Sequence, residues 1–557
     1  MAVPTGNLTR WLTVAKLGTA ALVAFALLLP LRPLWHPAVS ALDIWDDAIF
    51  FLRYAEVFHH TGVLAWNPGD MATYGATAQL YQWLIVALWP WADGAVVLLA
   101  GSTIPASLTF VVVLWTLWSR GGQRSHLERL AVVAVAAVLA IGSSLPRLAD
   151  TGMDANGAAL YVAVWAAWWL GPCPRRATRV RMALCGMAFI GTGWLVRPDM
   201  AALTFGAALV SAVWPRRDDL TTPTANRSAR AFIVGGVLGL VIAWLGLWRV
   251  YGTPVPPSFW VKTWATNPYG PEFAQPRRLL ALRQVPVWLR RDGLALVLAV
   301  WLTLRLRPRS PQFVGSLFAV LGLTAYFSLA VVPLMQQQCR FYAPFWPVLV
   351  LVAGHAWYAR TRAVPKRLVY PLVVALVVML GVVVRRVFTP VPPSRSQVTA
   401  QIDARPPGTS ILAASFVPGA SWQAWPGADH LARVPLTCAV ATTELGRVSQ
   451  VIGLRPIVDL AGLIDRQVAQ HGIDIAQFMA EPPALVWFKE QNYHAHLRPL
   501  VADPAFLARY LIIPAAQLGA IYNVAILREG PCALPLREAL DEAQRAYRAL
   551  DSSRPLQ

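Results

Sequence analysis

The chain has 557 residues, 56% of them hydrophobic and 14% charged, with a mean hydropathy of +0.49. A soluble domain carries about 25% charge, so a soluble enzyme of this size is excluded. The net charge of +20 does not mark a nucleic-acid surface either. Residues 1–386 hold 34 basic and 14 acidic residues and residues 387–557 hold 14 of each, so the whole excess lies among apolar spans rather than on one exposed face.

A bilayer core of about 30 Å needs about 20 apolar residues per helix. Runs that meet or approach this length fall near 11–35, 95–118, 130–147, 157–172, 182–196, 200–214, 232–250, 292–306, 312–332, 345–359 and 368–386, which predicts about 11 transmembrane helices. The Trp-rich run 79–92 is shorter and reads as an interfacial or re-entrant helix. The first run follows Lys16 and precedes Ala38-Val39-Ser40-Ala41, a pattern shared with cleavable signal peptides, but it is read here as a retained anchor.

Short loops rich in Lys and Arg stay cytoplasmic. Five connections qualify, around Arg120/Arg124/Arg129, Arg175/Arg176/Arg179/Arg181, Arg216/Arg217/Arg227/Arg230, Arg305/Arg307/Arg309 and Arg360/Arg362/Lys366/Arg367. They hold 18 basic residues against three acids, and the other eleven acids of the membrane half fall in the alternate connections. This pattern predicts a multi-pass membrane protein with a cytoplasmic N-terminus and an extracytoplasmic C-terminal region.

Composition changes near residue 390, dividing the chain into a membrane part, 1–389, and a tail, 390–557, expected to be a soluble α/β or α+β domain outside the cytoplasm. Within the tail "TSILAASF" and "YNVAILRE" read as strands, and 465–480 and 535–550 as helical. Of the five cysteines, Cys438 and Cys532 in the tail are either bridged or two buried thiols.

The loop after the first span, "DIWDDAIFFLRYAEVFHHTGVLAWNPGD", places Asp46 and Asp47 side by side at the bilayer surface. Ionisable groups near a membrane core are functional candidates by default. Segment 47–60 is expected to be helical, with Ile49, Phe50, Tyr54, Val57 and Phe58 on an apolar side and Arg53 and Glu56 on a polar one. The competing assignment for the two carboxylates is helix capping. His59 and His60 are either solvated or in contact with substrate, and "WNPGD" at 66–70 is a turn.

This run resembles the polytopic glycosyltransferases of the GT-C superfamily, and within it the terminal β-(1→2)-arabinofuranosyltransferase group and its bacterial relatives. Further matching segments follow in order: "TGMDANGAAL" (151–160), "LVRPDM" (195–200), "VYGTPVPPSFWVK" (250–262), "CRFYAPFWPVL" (339–349) and "PIVDLAGLIDRQVA" (456–469). The resemblance covers about residues 40–480. It departs from the family pattern at Pro257, at Gln337-Gln338-Cys339 and over "MATYGATAQLYQ".

The resemblance implies transfer of a sugar, arabinofuranose by analogy, from a polyprenyl-phosphate donor to a cell-envelope glycan or glycoprotein. Asp46 or Asp47 would be the catalytic carboxylate, acting as general base, as ligand of a divalent cation, or as stabiliser of an oxocarbenium-like transition state. Arg197, Arg340 and Lys262 would neutralise the phosphate, with interfacial snorkelling as the ordinary alternative. Asp154 would orient sugar hydroxyls or cap a helix starting near 155. Asp199, His59, Trp66 and Asn67 complete the expected donor site, although the Trp-rich surroundings also suit an aromatic belt. Asp459 and Asp465 are assigned to acceptor contact or to holding the tail on the membrane part. The partners implied are the lipid-linked donor, the acceptor and membrane lipids, with no nucleic acid. Two other readings fit a polytopic chain: a transporter of sugar-lipids, or an envelope assembly protein without chemistry.

Overall fold

A computed structural model describes residues 5–122, 124–171, 178–214, 223–262, 270–306, 311–331, 340–359, 434–443, 445–488, 497–513 and 523–552. Helices occupy ten of the eleven apolar runs: Thr5–Leu28, Gly94–Arg120, His126–Gly142, Ala155–Trp169, Arg179–Val196, Pro198–Val213, Pro223–Tyr251, Gly270–Leu306, Pro311–Leu329 and Trp346–Ala359. The eleventh, 368–386, lies outside the described residues, as does the expected boundary at 389/390. Among the described residues four stretches are long and apolar enough by themselves to cross a membrane: Lys16–Trp35, Gly94–Arg120, Arg227–Tyr251 and Pro311–Leu329.

Local chemistry starts these helices where the connections end. Asp93 accepts from the Ala95 N–H, Ser125 from Glu128 and Thr178 from Arg181, so each side chain satisfies an amide that its helix leaves free. Arg179–Val196 packs backbone to backbone on Pro223–Tyr251. A Cβ on Gly235 or Gly239 would fall 1.8 Å from the Ala183 carbonyl oxygen or 2.2 Å from that of Met187. Small residues four apart allow such contact in lipid, where no hydrophobic force drives helices together. The outer face of the second helix is apolar throughout, with Val234 69% and Leu245 63% exposed, as suits a lipid-facing surface.

The run 79–92 forms the short helix Gln79–Leu88 and a 3-10 turn, Trp89–Trp91. Segment 47–60 is the helix Asp46–Thr61, closed by Gly62 in the left-handed region (φ 74°).

The tail contains a five-stranded mixed sheet, ordered β2-β1-β3-β5-β4, with β1 Val440–Thr442, β2 Ile457–Asp459, β3 Leu485–Phe488, β4 Tyr510–Ile513 and β5 Asn523–Leu527. β1 runs parallel to β2 and β3, whereas β5 runs antiparallel to β3 and β4. β5 corresponds to "YNVAILRE", while "TSILAASF" lies outside the described residues. The stretch 465–480 is two short helices, Arg466–His471 and Ile475–Ala480, separated at Gly472 (φ 82°) and each capped by an Asp, Asp465 and Asp474. The last expected helix is Ala533–Ser552.

One apolar cluster runs from the tail sheet (Val440, Ile457, Leu485, Ile526) into Ile49, Phe50 and Leu52 of helix Asp46–Thr61, while a second fills the helical bundle. The described part of the tail therefore shares its core with helix Asp46–Thr61. Cys438 and Cys532 are bridged across 94 residues of sequence, joining the segment before β1 to the start of the last helix. Cys532→Ser, or reduction, is expected to cost the tail about 2–4 kcal/mol by releasing the unfolded chain. Thermal melts of the detergent-solubilised protein with and without reductant check this, with the bridged wild type unfolding at the higher temperature.

Candidate active site

Adjacent residues on a helix point about 100° apart, and Asp46 and Asp47 use that divergence. Asp46 is buried and accepts from the Gly446 N–H at 3.1 Å, at the start of the tail helix Leu445–Ile452. The contact is close: a Cβ on Gly446 would fall 1.9 Å from the Asp46 carbonyl oxygen. Asp47 points the other way, into a cavity of about 400 Å³, and pairs with Arg340. The N-cap position of this helix is Trp45, which makes no side-chain cap, and both carboxylates lie in the first turn.

The cavity gathers Asp154, Arg197, Asp199, Lys262 and Arg340 around Asp47. Arg197, buried at the junction of helices Arg179–Val196 and Pro198–Val213, donates to both oxygens of Asp199, from Nε at 3.1 Å and from Nη2 at 2.8 Å. Its Nε also lies 3.9 Å from Asp154 Oδ2. Asp154 occupies the N-cap position of Ala155–Trp169 but makes no capping bond, so its carboxylate serves the cavity instead. Phe341 organises the two arginines, with the Arg197 and Arg340 guanidinium carbons 5.6 Å and 5.0 Å from its ring centre. Tyr326, Phe327, Phe259 and Trp194 supply apolar walls.

Electrostatics set these groups in opposite states. Burial would raise the Asp47 carboxyl, but the charges of Arg340 and Lys262 outweigh it and hold the pKa below the ordinary carboxylate value. Half-buried Lys262 ends the short helix Pro257–Lys262. Burial brings its ammonium down to about 8, against the pull of Asp47, with Arg340 adding to the fall. Among the described residues no carboxylate lies within ion-pair distance of it, which leaves its charge for an incoming anion.

The structure sends the other expected residues elsewhere. Asn67 reaches the edge strand of the tail: its amide donates to the Ile457 carbonyl at 3.1 Å and accepts from the Ile457 N–H at 2.8 Å, as a neighbouring strand would. Trp66 is buried against Phe50 and Tyr54, with ring centres 4.7 Å and 5.5 Å away. His59 donates from Nε2 to the Val86 carbonyl at 2.8 Å, outside the cavity lining. Asp459 and Asp465 organise one loop and one helix of the tail: Asp459 is enclosed by backbone amides, and Asp465 caps Arg466–His471. A cation shared by Asp46 and Asp47 does not fit, because the two side chains diverge. Among the described residues no three His, Cys, Asp or Glu side chains are grouped to hold a metal.

Sequence reasoning gave Arg53 no role beyond the polar side of its helix. It is fully buried, donating to the carbonyls of Trp66 (3.0 Å), Gly453 and Arg455 (2.9 Å), and so binds the tail to helix Asp46–Thr61. Its signal was present: an arginine amid Phe50, Phe51, Leu52 and Tyr54 needs carbonyl acceptors to be buried. Gly446 gave no signal, being one glycine among 37.

No protein-family model and no curated protein matches the chain. Solved structures do share its fold. Two crystal structures of ArnT from Cupriavidus metallidurans share it, one bound to undecaprenyl phosphate and one in the apo state. Each gives a TM-score of 0.51 at 14% identity; the first covers 94% of this chain, the second 95%, and both cover 99% of the ArnT chain. At this identity the likeness bears on the fold alone.

A phosphate drawn into this cavity meets a lysine that is cationic below about pH 8 and neutral above it. A lipid phosphate monoester, whose second pKa is about 6, has its full charge before that point. Affinity for a phosphate monoester, measured across pH in detergent or nanodiscs, should therefore fall as pH rises through about 8. Asp47→Asn removes a charge that holds the lysine proton and should move that fall to lower pH.

Proposed function

We propose that the chain is an integral membrane glycosyltransferase of GT-C type. In this reading it moves a sugar, arabinofuranose by the family resemblance, from a polyprenyl phosphate to a cell-envelope glycan or glycoprotein on the extracytoplasmic face of the bacterial inner membrane. One observation carries the reading. Asp47, Asp154, Arg197, Asp199, Lys262 and Arg340 come from five different connections, and all five alternate with the arginine-rich ones. The arginine-rich connections mark the cytoplasmic side, so the charged cavity opens outward. The ArnT likeness supports the donor class, since one ArnT structure is bound to undecaprenyl phosphate. The bridge Cys438–Cys532 supports an oxidising compartment for the tail.

The chemistry follows from the charges. An acceptor hydroxyl oxygen attacks the anomeric carbon, the bond from that carbon to the phosphate oxygen breaks, and the polyprenyl phosphate leaves with one more negative charge than the donor carried. Lys262 meets that charge directly, and Arg197 and Arg340 meet it by exchanging their carboxylate contacts with Asp199 and Asp47. Asp47, kept ionised by its cationic neighbours, takes the acceptor proton. Asp154, 3.9 Å from Arg197, is placed to accept from sugar hydroxyls. The polyprenyl chain remains in the bilayer, which explains a reactive site at the membrane surface. The lining of Phe259, Phe327 and Phe341 limits water that would hydrolyse the donor.

The two aspartates are expected to separate in a turnover assay with a polyprenyl-phosphate sugar and candidate envelope acceptors. Asp47→Asn should lower kcat by about 10²–10⁴-fold. Asp46→Asn, which weakens a contact with the tail, should cost thermal stability and leave most of kcat. Equal turnover by Asp47→Asn and wild type would contradict the assignment.

A further inference from the structure

The cavity wall is not built by the membrane half alone. Leu463 of the tail lines it, 8% exposed, on the loop that follows β2. Asp459, the last residue of β2, folds this loop around its carboxylate. Oδ1 accepts from the N–H groups of Ala461 (2.8 Å) and Gly462 (3.0 Å), and Oδ2 from those of Ile464 (2.6 Å) and Asp465 (3.1 Å). Four backbone donors on one buried carboxylate fix residues 460–465 as a unit.

The unit is wedged between two parts of the cavity. Gly462 turns the chain at φ +69°, where a Cβ would lie 2.8 Å from the Ala469 backbone and 3.1 Å from Val261, the residue before Lys262. On the other side Ile464 Cγ1 sits 3.0 Å from the position of a Cβ on Gly75, itself part of the lining. Upstream, β2 is held by the Asn67 amide. Leu463 is thus held between Lys262 and the 75–77 segment by contacts that leave it little freedom.

We propose that Leu463 is a specificity-determining residue: the tail loop 460–465 walls the end of the cavity that receives the transferred sugar, and Asp459 is the positioning residue that sets Leu463 there. This rests on the cavity being the donor site. The argument is one of direction. The prenyl chain must run back to the bilayer and the phosphate must sit among the cations, so the group on the far side of the phosphate faces the tail. A leucine offers that group shape without hydrogen bonds, and therefore sorts sugars by size.

Binding tests the proposal without the acceptor. Dissociation constants are measured for undecaprenyl phosphate and for its arabinofuranosyl and glucosyl derivatives, using full-length wild type, Leu463→Ala, Leu463→Trp and Asp459→Asn. Bare undecaprenyl phosphate should bind all four within about threefold, while Leu463→Trp weakens both sugar-bearing lipids by about tenfold or more. Leu463→Ala should reduce the preference between pentosyl and hexosyl lipid. Asp459→Asn, whose amide directs N–H groups at backbone N–H groups, should copy Leu463→Ala; a general loss of fold would instead weaken the bare lipid as well. Wild-type affinity of Leu463→Trp for the sugar-bearing lipids overturns the proposal and leaves the donor site standing. Failure of the wild type to bind bare undecaprenyl phosphate overturns both.

Discussion

Charged side chains at the edge of a bilayer must find partners, because an unpaired buried charge costs about 3–5 kcal/mol where a paired one is tolerated. Helix Asp46–Thr61 carries this constraint for the whole structure. Asp46 and Arg53 hold the tail, through Gly446, Gly453 and Arg455, while Asp47 holds Arg340 in the cavity. Tail and bundle are therefore fastened to the two sides of one helix, and neither can move without disturbing a buried charge.

The cavity balances its own charges before any ligand arrives. Asp199 occupies Arg197 and Asp47 occupies Arg340, while Lys262 is depressed to about 8 by burial. Such a site is stable when empty yet has one cation unclaimed among the described residues and two others stacked on a single ring, Phe341. A phosphate entering it replaces carboxylate contacts rather than creating a charged hole. In the proposed reaction, donor binding and the later loss of the sugar become exchanges among groups that are already oriented.

The fold was legible in the sequence wherever one periodicity or one charge decided it. Ten apolar runs became helices because length and hydropathy leave little else in lipid. The six charges of the cavity were legible because arginine, lysine and aspartate beside apolar spans are costly. What stayed hidden depends on which way a side chain turns. Asp46 and Asp47 are equivalent in sequence and were paired as one site, but the helix sends them to different partners. Asn67, Trp66 and His59 were grouped with the donor site through the family resemblance, whereas packing commits them to the tail edge, an aromatic cluster and the Val86 carbonyl. Leu463 was invisible for the opposite reason: a leucine in a tail has no marked chemistry, and only the turn at Gly462 and the four amides on Asp459 bring it to the cavity.

A structure of the protein in a lipid nanodisc with undecaprenyl phosphate tests the proposed donor site most directly. The phosphate is expected within hydrogen-bond distance of Lys262 and of Arg197 or Arg340, with the prenyl chain leaving the cavity toward the bilayer. A phosphate bound at the arginine-rich ends of the helices, with the cavity around Asp47 free of lipid, would contradict the outward-facing donor site and the glycosyl transfer derived from it.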